Sequence, residues 1–182
     1  MADIAEIKRS IVVLVDTREI RNQHILSKFS ELGIRFKLKA LKFGDYSFEI
    51  NEKSFENVCV VERKISLTEI AGNFCKGRIR FETEFAKARA EGCNVTLLIE
   101  DDKARAKMVL RRKMDKLTGI DLDKKYSKTW RSDFTGNSMI ASIKAFKDRY
   151  NLGLVFCKKT KTAEALIDTF NKAIEVYFEE VS

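Results

Sequence analysis

Three short charged clusters in this sequence stand where their types and spacing could do chemistry. The apolar run from Ile11 ends in Asp16-Thr17-Arg18-Glu19, Gly44-Asp45-Tyr46 opens an alternating stretch, and Val60-Val61 leads into Glu62-Arg63-Lys64. Singly, each has an ordinary structural reading. Acidic residues near Asp16 suit the positive end of a following helix, Gly-Asp is turn chemistry, and Glu-x-Lys is a common spacing. In combination they describe a reaction. Side chains alternate along a strand, so Glu62 and Lys64 project from one face, and Asp45 on an adjacent antiparallel strand brings a second carboxylate to them. Two carboxylates suit a hard divalent cation such as Mg²⁺, which takes oxygen ligands and waters, lowers the pKa of a bound water and neutralises phosphoryl charge. The lysine beside them would orient or deprotonate that water, or stabilise the developing pentacoordinate charge. The implied chemistry is metal-dependent phosphodiester hydrolysis.

The elements that must position these groups are legible in the patterning. Ile11 to Asp16 is β-branched and continuous, the mark of a buried central strand. Ile25, Leu26, Phe29 and Leu32 share a helical face over Asn22 to Leu32, with Gly33 as the left-handed stop. Arg35–Leu41, Asp45–Ile50 and Asn57–Glu62 read as further strands, expected to form a meander. Ser66 or Thr68 caps a short helix, and Gly77 opens a longer one carrying Phe81, Phe85 and Ala88 on one face. Asn94–Glu100 returns as a strand. A helix with Met139, Ile140, Ile143 and Phe146, a strand over Leu152–Cys157 and a last helix with an apolar stripe from Ala163 to Phe178 complete the chain. Strands alternating with helices, after an early hairpin, predict an α/β sandwich around a mixed sheet.

At 182 residues and 45% hydrophobic, the chain is expected to be one folded domain spanning 1–182. Its net charge of +8 is local: Lys103 to Arg131 holds eleven basic and three acidic residues, so this one segment carries the whole surplus. A basic insertion of about 103–136 on a neutral domain suits a polyanion, although a solvated helix face or loop has the same composition. The four cysteines lack the close pairing of zinc sites and read as reduced core residues. No apolar run approaches the length of a membrane span, and no signal peptide is evident. A soluble, intracellular protein is expected, cytoplasmic or nuclear.

These motifs resemble the nuclease domain of the XPF family of structure-specific endonucleases, whose signature is GD, a variable spacer, ERK and an aspartate after three residues. Gly44-Asp45 and Glu62-Arg63-Lys64 match it. Val15-Asp16-Thr17-Arg18-Glu19 looks like the family's V-D-x-R-E strand end, Gly77-Arg78 its G-R position, Leu97-Leu98-Ile99-Glu100 its L-L-I-E strand and Leu154-Val155-Phe156-Cys157 its late core strand. The resemblance implies a three-layer restriction-endonuclease-like core, an α/β fold with a central mixed β-sheet flanked by helices. It further implies a metal-dependent DNA endonuclease acting at branched, flapped or junction DNA in repair, recombination or replication. Asp45 and Glu62 would bind Mg²⁺, with Mn²⁺ able to substitute, together with the Val61 carbonyl. Asp16 and Glu19 would complete the acidic cluster directly or through water, and Lys64 would be the catalytic lysine. Arg18 and Arg63 would brace carboxylates or meet phosphate, and Arg78 and Arg80 would contact the DNA backbone. A homodimer or heterodimer through the nuclease domain is the implied assembly.

Two departures qualify this. Thr68 stands where the family has its aspartate, and the carboxylate comes one position later as Glu69. Either Glu69 substitutes from a shifted helix or that function is absent. No helix-hairpin-helix module is expected, and the basic segment, through Arg111, Arg112, Lys113, Lys124, Lys125 and Arg131, is expected to supply DNA affinity instead. Trp130 in that segment either stacks on an unpaired base or anchors the loop. His24 is expected to be a surface or satisfied, partly buried residue. The rival function is a catalytically silent DNA-binding scaffold of the same fold. A small-nucleotide-binding α/β domain is disfavoured by the lack of a Gly-rich phosphate loop.

Overall fold

The computed structural model describes residues 4–101 and 136–181. Its strands are β1 (Val12–Asp16), β2 (Arg35–Lys39), β3 (Tyr46–Ile50), β4 (Lys53–Ser54), β5 (Cys59–Lys64), β6 (Asn94–Ile99) and β7 (Gly153–Phe156). Its helices are α1 (Ile4–Arg9), α2 (Gln23–Glu31), α3 (Leu67–Cys75), α4 (Arg78–Ala90), α5 (Gly136–Tyr150) and α6 (Thr162–Val181). The basic segment from Lys103 to Arg131, and with it Arg111, Arg112, Lys113, Lys124, Lys125, Trp130 and Arg131, lies outside the described residues. The short α1 and β4 have no counterpart in the sequence reading.

The strands form one mixed sheet in the order β2-β1-β3-β5-β6-β7, with β4 paired to β3. The expected meander is corrected here. β2 does not pair with β3, because β1 lies between them, parallel to β2 and antiparallel to β3. Composition explains the insertion. Val13, Leu14 and Val15 are fully buried and need a neighbour on each side, whereas β2 alternates cations with half-exposed apolar residues, leaving Leu38 63% exposed. Arg35, Lys37 and Lys39 suit an edge, where charge discourages further strand pairing.

Successive strand residues divide between two apolar layers. Val60, Val95, Leu97 and Ile99 pack under α3, α4 and α5, in a cluster where Phe74, Phe81 and Phe85 surround Phe146. Val13, Val15, Phe48, Cys59, Val61 and Leu98 pack against α1, α2 and α6 through Ile7, Phe29, Leu166, Phe170 and Ile174. This is the expected three-layer core. Helix limits follow their local chemistry: Gly33 closes the α2 turn at φ +67°, and the Ser66 side chain accepts the Glu69 N–H to start α3. Cys59 and Cys93 are buried and free as expected, but Cys75, near the end of the amphipathic α3, is exposed rather than in the core.

Because β3 runs against β1 and β5 while β5, β6 and β7 run parallel, the C-terminal ends of β1, β5 and β6 meet the N-terminal end of β3 at one sheet edge. Asp16, Asp45, Lys64 and Glu100 are brought to that edge by topology alone. In open α/β sheets this carboxyl edge is where ligand sites form. Among the described residues no helix is long and apolar enough to cross a membrane.

Candidate active site

Asp45 is held by its neighbours more than by its own strand. Its N–H donates to the Val61 carbonyl at 2.9 Å, and its carbonyl accepts the Asp16 N–H at 2.8 Å, so its backbone is clamped between β5 and β1. Its Oδ2 accepts the Arg63 N–H at 2.7 Å, extending the ladder with a side-chain oxygen. The preceding Gly44 is required twice over. It adopts φ +65°, and a Cβ there would come within 3.0 Å of the Val61 carbonyl oxygen and 3.1 Å of Val60 Cβ. The GD dipeptide is therefore a close approach of backbone to backbone that aims the aspartate.

The pairing of Tyr46 with Val61 sets Asp45 opposite Glu62. Glu62 and Lys64 continue the face of Val60, towards α4, and the Lys64 Nζ lies 2.6 Å from Glu62 Oε1. Together with Asp45 they line a cavity of about 260 Å³, closed on the far side by Arg80, Glu84 and Ala88 of α4. Burial first, and then the Glu62 charge, push the Asp45 carboxyl up to about 8. Burial likewise raises Glu62 despite the opposing Lys64 ammonium, and Glu84 and Glu69 add to the rise. Burial works against the Lys64 ammonium, but Glu62, Glu69 and Asp45 more than offset it and its pKa stands above the ordinary lysine value. Burial thus leaves two facing carboxyls that are hard to ionise, with the Lys64 ammonium against Glu62.

The opposite face of β5 carries Arg63, which is 3% exposed. Its Nη2 donates to Glu19 Oε1 at 2.9 Å and to the Arg21 carbonyl at 3.0 Å, and its Nη1 lies 3.0 Å from Glu100 Oε2. Glu100 also accepts the Thr162 hydroxyl at 2.7 Å and sits 2.8 Å from His24 Nε2. Of the two roles expected for Arg63, bracing carboxylates is the one this geometry serves, and His24 is the satisfied, partly buried residue anticipated. Glu100 was read only as part of a strand. Its signal was available, since it ends an apolar run as Asp16 does.

Asp16 is fully engaged. Its Oδ1 accepts the backbone N–H and Nε of Arg18, both at 2.7 Å, and its Oδ2 accepts Arg18 Nη2 at 2.9 Å and the Leu41 N–H at 2.7 Å. Burial tends to raise its pKa, but these bonds outweigh it and hold the carboxyl below its ordinary value. Of the four acids expected to cluster, Asp45 and Glu62 come together, while Asp16 and Glu19 are committed to Arg18 and Arg63. Thr68 is exposed. Glu69 accepts the Ile65 N–H at 2.9 Å and places its other oxygen 3.7 Å from Lys64 Nζ, a capping contact that also adds charge beside the lysine. Arg80 borders the cavity, whereas Arg78 pairs with Glu82 at 3.1 Å and lies over the Phe146 ring. Glu84 was not singled out from sequence, although its spacing from Arg80 and Ala88 places all three on one helical face.

The sequence model of the ERCC4 domain family matches residues 15–170, from the end of β1 well into α6. The chain belongs to the ERCC4 domain family. In solved structures, the ERCC4-type fold found here is similar to XPF from Aeropyrum pernix, with a TM-score of 0.58 and 22% identity over 89% of this chain and 61% of that one. It is also similar to XPF from Aeropyrum pernix in complex with DNA, with a TM-score of 0.57 and 20% identity over 93% of this chain and 66% of that one. The chain therefore spans less than two thirds of the length of either. No curated protein matches it. The XPF-type resemblance and the restriction-endonuclease-like α/β core expected from the motifs hold at the level of family and fold.

Within this ERCC4 domain, the donor set fits Mg²⁺. Among the described residues no group of three or more His, Cys, Asp or Glu side chains is arranged to hold a metal. Mg²⁺ does not require one, since it commonly takes one or two carboxylates and completes its octahedron with waters and substrate oxygens. Asp45 and Glu62 supply hard oxygens that burial makes hard to ionise, and the Glu62 charge adds to the rise at Asp45; a cation between them would relieve that penalty. The Val61 carbonyl lies beside them, already accepting the Asp45 N–H.

Proposed function

We propose that this domain is a divalent-metal-dependent DNA endonuclease that hydrolyses phosphodiester bonds in branched, flapped or junction DNA, as in repair, recombination or replication. The observation that carries this reading is the pair of facing carboxyls, Asp45 and Glu62, in a cavity with Lys64. Asp45 and Glu62, with the Val61 carbonyl, would hold Mg²⁺ or Mn²⁺. When bound, such an ion supplies a lowered water pKa and neutralisation of phosphoryl charge. Lys64 donates hydrogen bonds from the cavity wall, orienting the attacking water or countering charge on the phosphoryl oxygens. Arg80, at the cavity's outer rim, offers a bidentate donor to a neighbouring phosphate. Asp16 and Glu19 act one step back: Asp16 fixes the Arg18 guanidinium at the cavity mouth, and Glu19 with Glu100 fixes Arg63, whose N–H positions Asp45. The basic residues Arg111, Arg112, Lys113, Lys124, Lys125 and Arg131, with Trp130, extend the same DNA-binding role, and a second nuclease-type subunit is the partner proposed for it.

A panel of labelled duplex, flap, fork and junction DNAs incubated with Mg²⁺ or Mn²⁺ tests the proposal. Cleavage with a preference for one shape, lost in Asp45→Asn and Glu62→Gln proteins that remain folded, is the expected result. Binding without cleavage by the wild-type protein, alone and with a second nuclease-type subunit, would leave the scaffold reading in its place.

A further inference from the structure

A second cavity, of about 520 Å³, opens beside the first and shares Arg18 with it. Its lips are the segment Glu19–Arg21 that follows β1 and, across from it, Ile65 and Ser66 between β5 and α3 with Thr68 in the first turn of α3; Arg63 is on its inner wall. The chemistry of its lips is mixed in an unusual way. Ile20 is 82% exposed and Ile65 38% exposed, although neither contributes to an apolar core, and the exposed guanidiniums of Arg18 and Arg21 stand beside them. Among the described residues, Arg21 makes no ion pair, whereas Arg18 is already turned by Asp16.

We propose that this cavity is a subsite for one unpaired, unstacked nucleotide of the DNA strand entering the candidate active site, with its phosphate on Arg18 and Arg21 and its base against Ile20 and Ile65. The inference rests on the endonuclease reading and deepens it by stating which part of the substrate lies beside the scissile bond. A nucleotide joins an anion to a flat apolar ring, the same two chemistries that the lips present together. Paired duplex DNA would satisfy only the arginines, because its outer surface offers phosphates while its base faces are covered by their neighbours. Apolar side chains meet those faces only where bases are unstacked or extruded.

The lips are also held ready. Arg63 ion-pairs Glu19 on one side of Ile20 and donates to the Arg21 carbonyl on the other, so a buried guanidinium ties down the loop that displays the isoleucine. Across the groove, Glu69 accepts the Ile65 N–H and fixes the second lip. A subsite pre-formed in this way avoids much of the ordering cost of binding. Its volume lies within the range of pockets that enclose small ligands, roughly 300–1,000 Å³.

The test uses the whole chain in EDTA, so that binding is read without cleavage. The probes are a labelled blunt duplex and the same duplex with a single-stranded flank that carries aminopurine at successive positions. The wild-type protein is expected to bind the flanked duplex more tightly and to change the aminopurine emission at one position next to the junction. In the double variant Ile20→Ser and Ile65→Ser, affinity for the flanked duplex should fall about tenfold, affinity for the blunt duplex should stay within about twofold, and the emission change should vanish. Both side chains are solvent-facing, so an unchanged unfolding temperature checks the fold. Arg21→Gln should weaken both DNAs and reduce the salt dependence of binding. Equal binding of the two duplexes by the wild-type protein, equal losses for both in the isoleucine variant, or no loss at all would overturn the subsite. Cleavage by the wild-type protein in Mg²⁺, measured separately, judges the endonuclease reading: cutting without flank discrimination sinks the subsite alone, and discrimination without cutting sinks the endonuclease reading alone.

Discussion

The two faces of β5 carry charge in opposite ways. On the α2 and α6 side, Arg63 is compensated by Glu19 and Glu100, and Glu100 in turn is bonded by Thr162 and approached by His24. On the α4 side, Asp45 and Glu62 face one another with Lys64 as their nearby cation, and both carboxyls are displaced upward by burial. Buried charge that is paired holds elements together; buried charge left partly unpaired is a standing demand for a ligand. Adjacent residues of one triplet fall into both classes because the strand turns alternate side chains to opposite sides.

The comparison breaks most sharply on the α4 face. Asp45→Asn should lower metal-dependent cleavage by about a thousandfold while leaving the unfolding temperature unchanged or higher, since it removes a carboxyl that burial and Glu62 disfavour. A marked loss of stability in that variant would make Asp45 a structural residue. The converse holds for Arg63→Met, which strands two largely buried carboxylates. A loss of about 3–5 kcal/mol is expected, or roughly 10 °C in unfolding temperature for a domain of this size. A fully stable Arg63→Met protein would show that the buried network contributes little.

Saturating Mg²⁺ sharpens the contrast through linkage. At about a hundredfold above its Kd, a ligand bound only by the folded state adds about 2.7 kcal/mol. Calorimetry should show that rise in the wild-type protein and not in Asp45→Asn. Asp16→Asn gives the smallest effect, a loss of about 1–3 kcal/mol at neutral pH from weakened charge-assisted bonds. The Asp16 carboxyl is held below its ordinary value, the bonds to Arg18 and Leu41 prevailing over burial. Its contribution is therefore fully present above the unfolded-state pKa of about 4 and is lost as pH falls through the lower folded value. Urea unfolding at neutral pH should separate the two proteins, with the gap closing in acid. A gap that stays constant across that window would refute this account of Asp16.

Much of the site was legible because strand alternation is a local rule. It placed Glu62 and Lys64 together, and the GD dipeptide marked the carboxylate that faces them. The meander failed for a nonlocal reason: the order of β2, β1 and β3 depends on which strand most needs two neighbours, which is a property of the whole sheet. The pairing of Glu100 with Thr162 was not legible because 62 residues separate the partners of that bond.

By itself, the sequence determined the periodicities, the two apolar layers and the identity of the groups able to bind a cation, since these depend on side-chain type and on spacing within a single element. Only the tertiary structure decided which acids remained available. Asp16 and Glu19 have the same chemistry as Asp45 and Glu62, yet guanidiniums from Arg18 and Arg63 claim the first two and, among the described residues, no guanidinium bonds the second two in the same way. The reason is that a carboxylate's function depends on the partners within a few ångströms of it, and those partners come from strand order rather than from neighbouring positions in the chain.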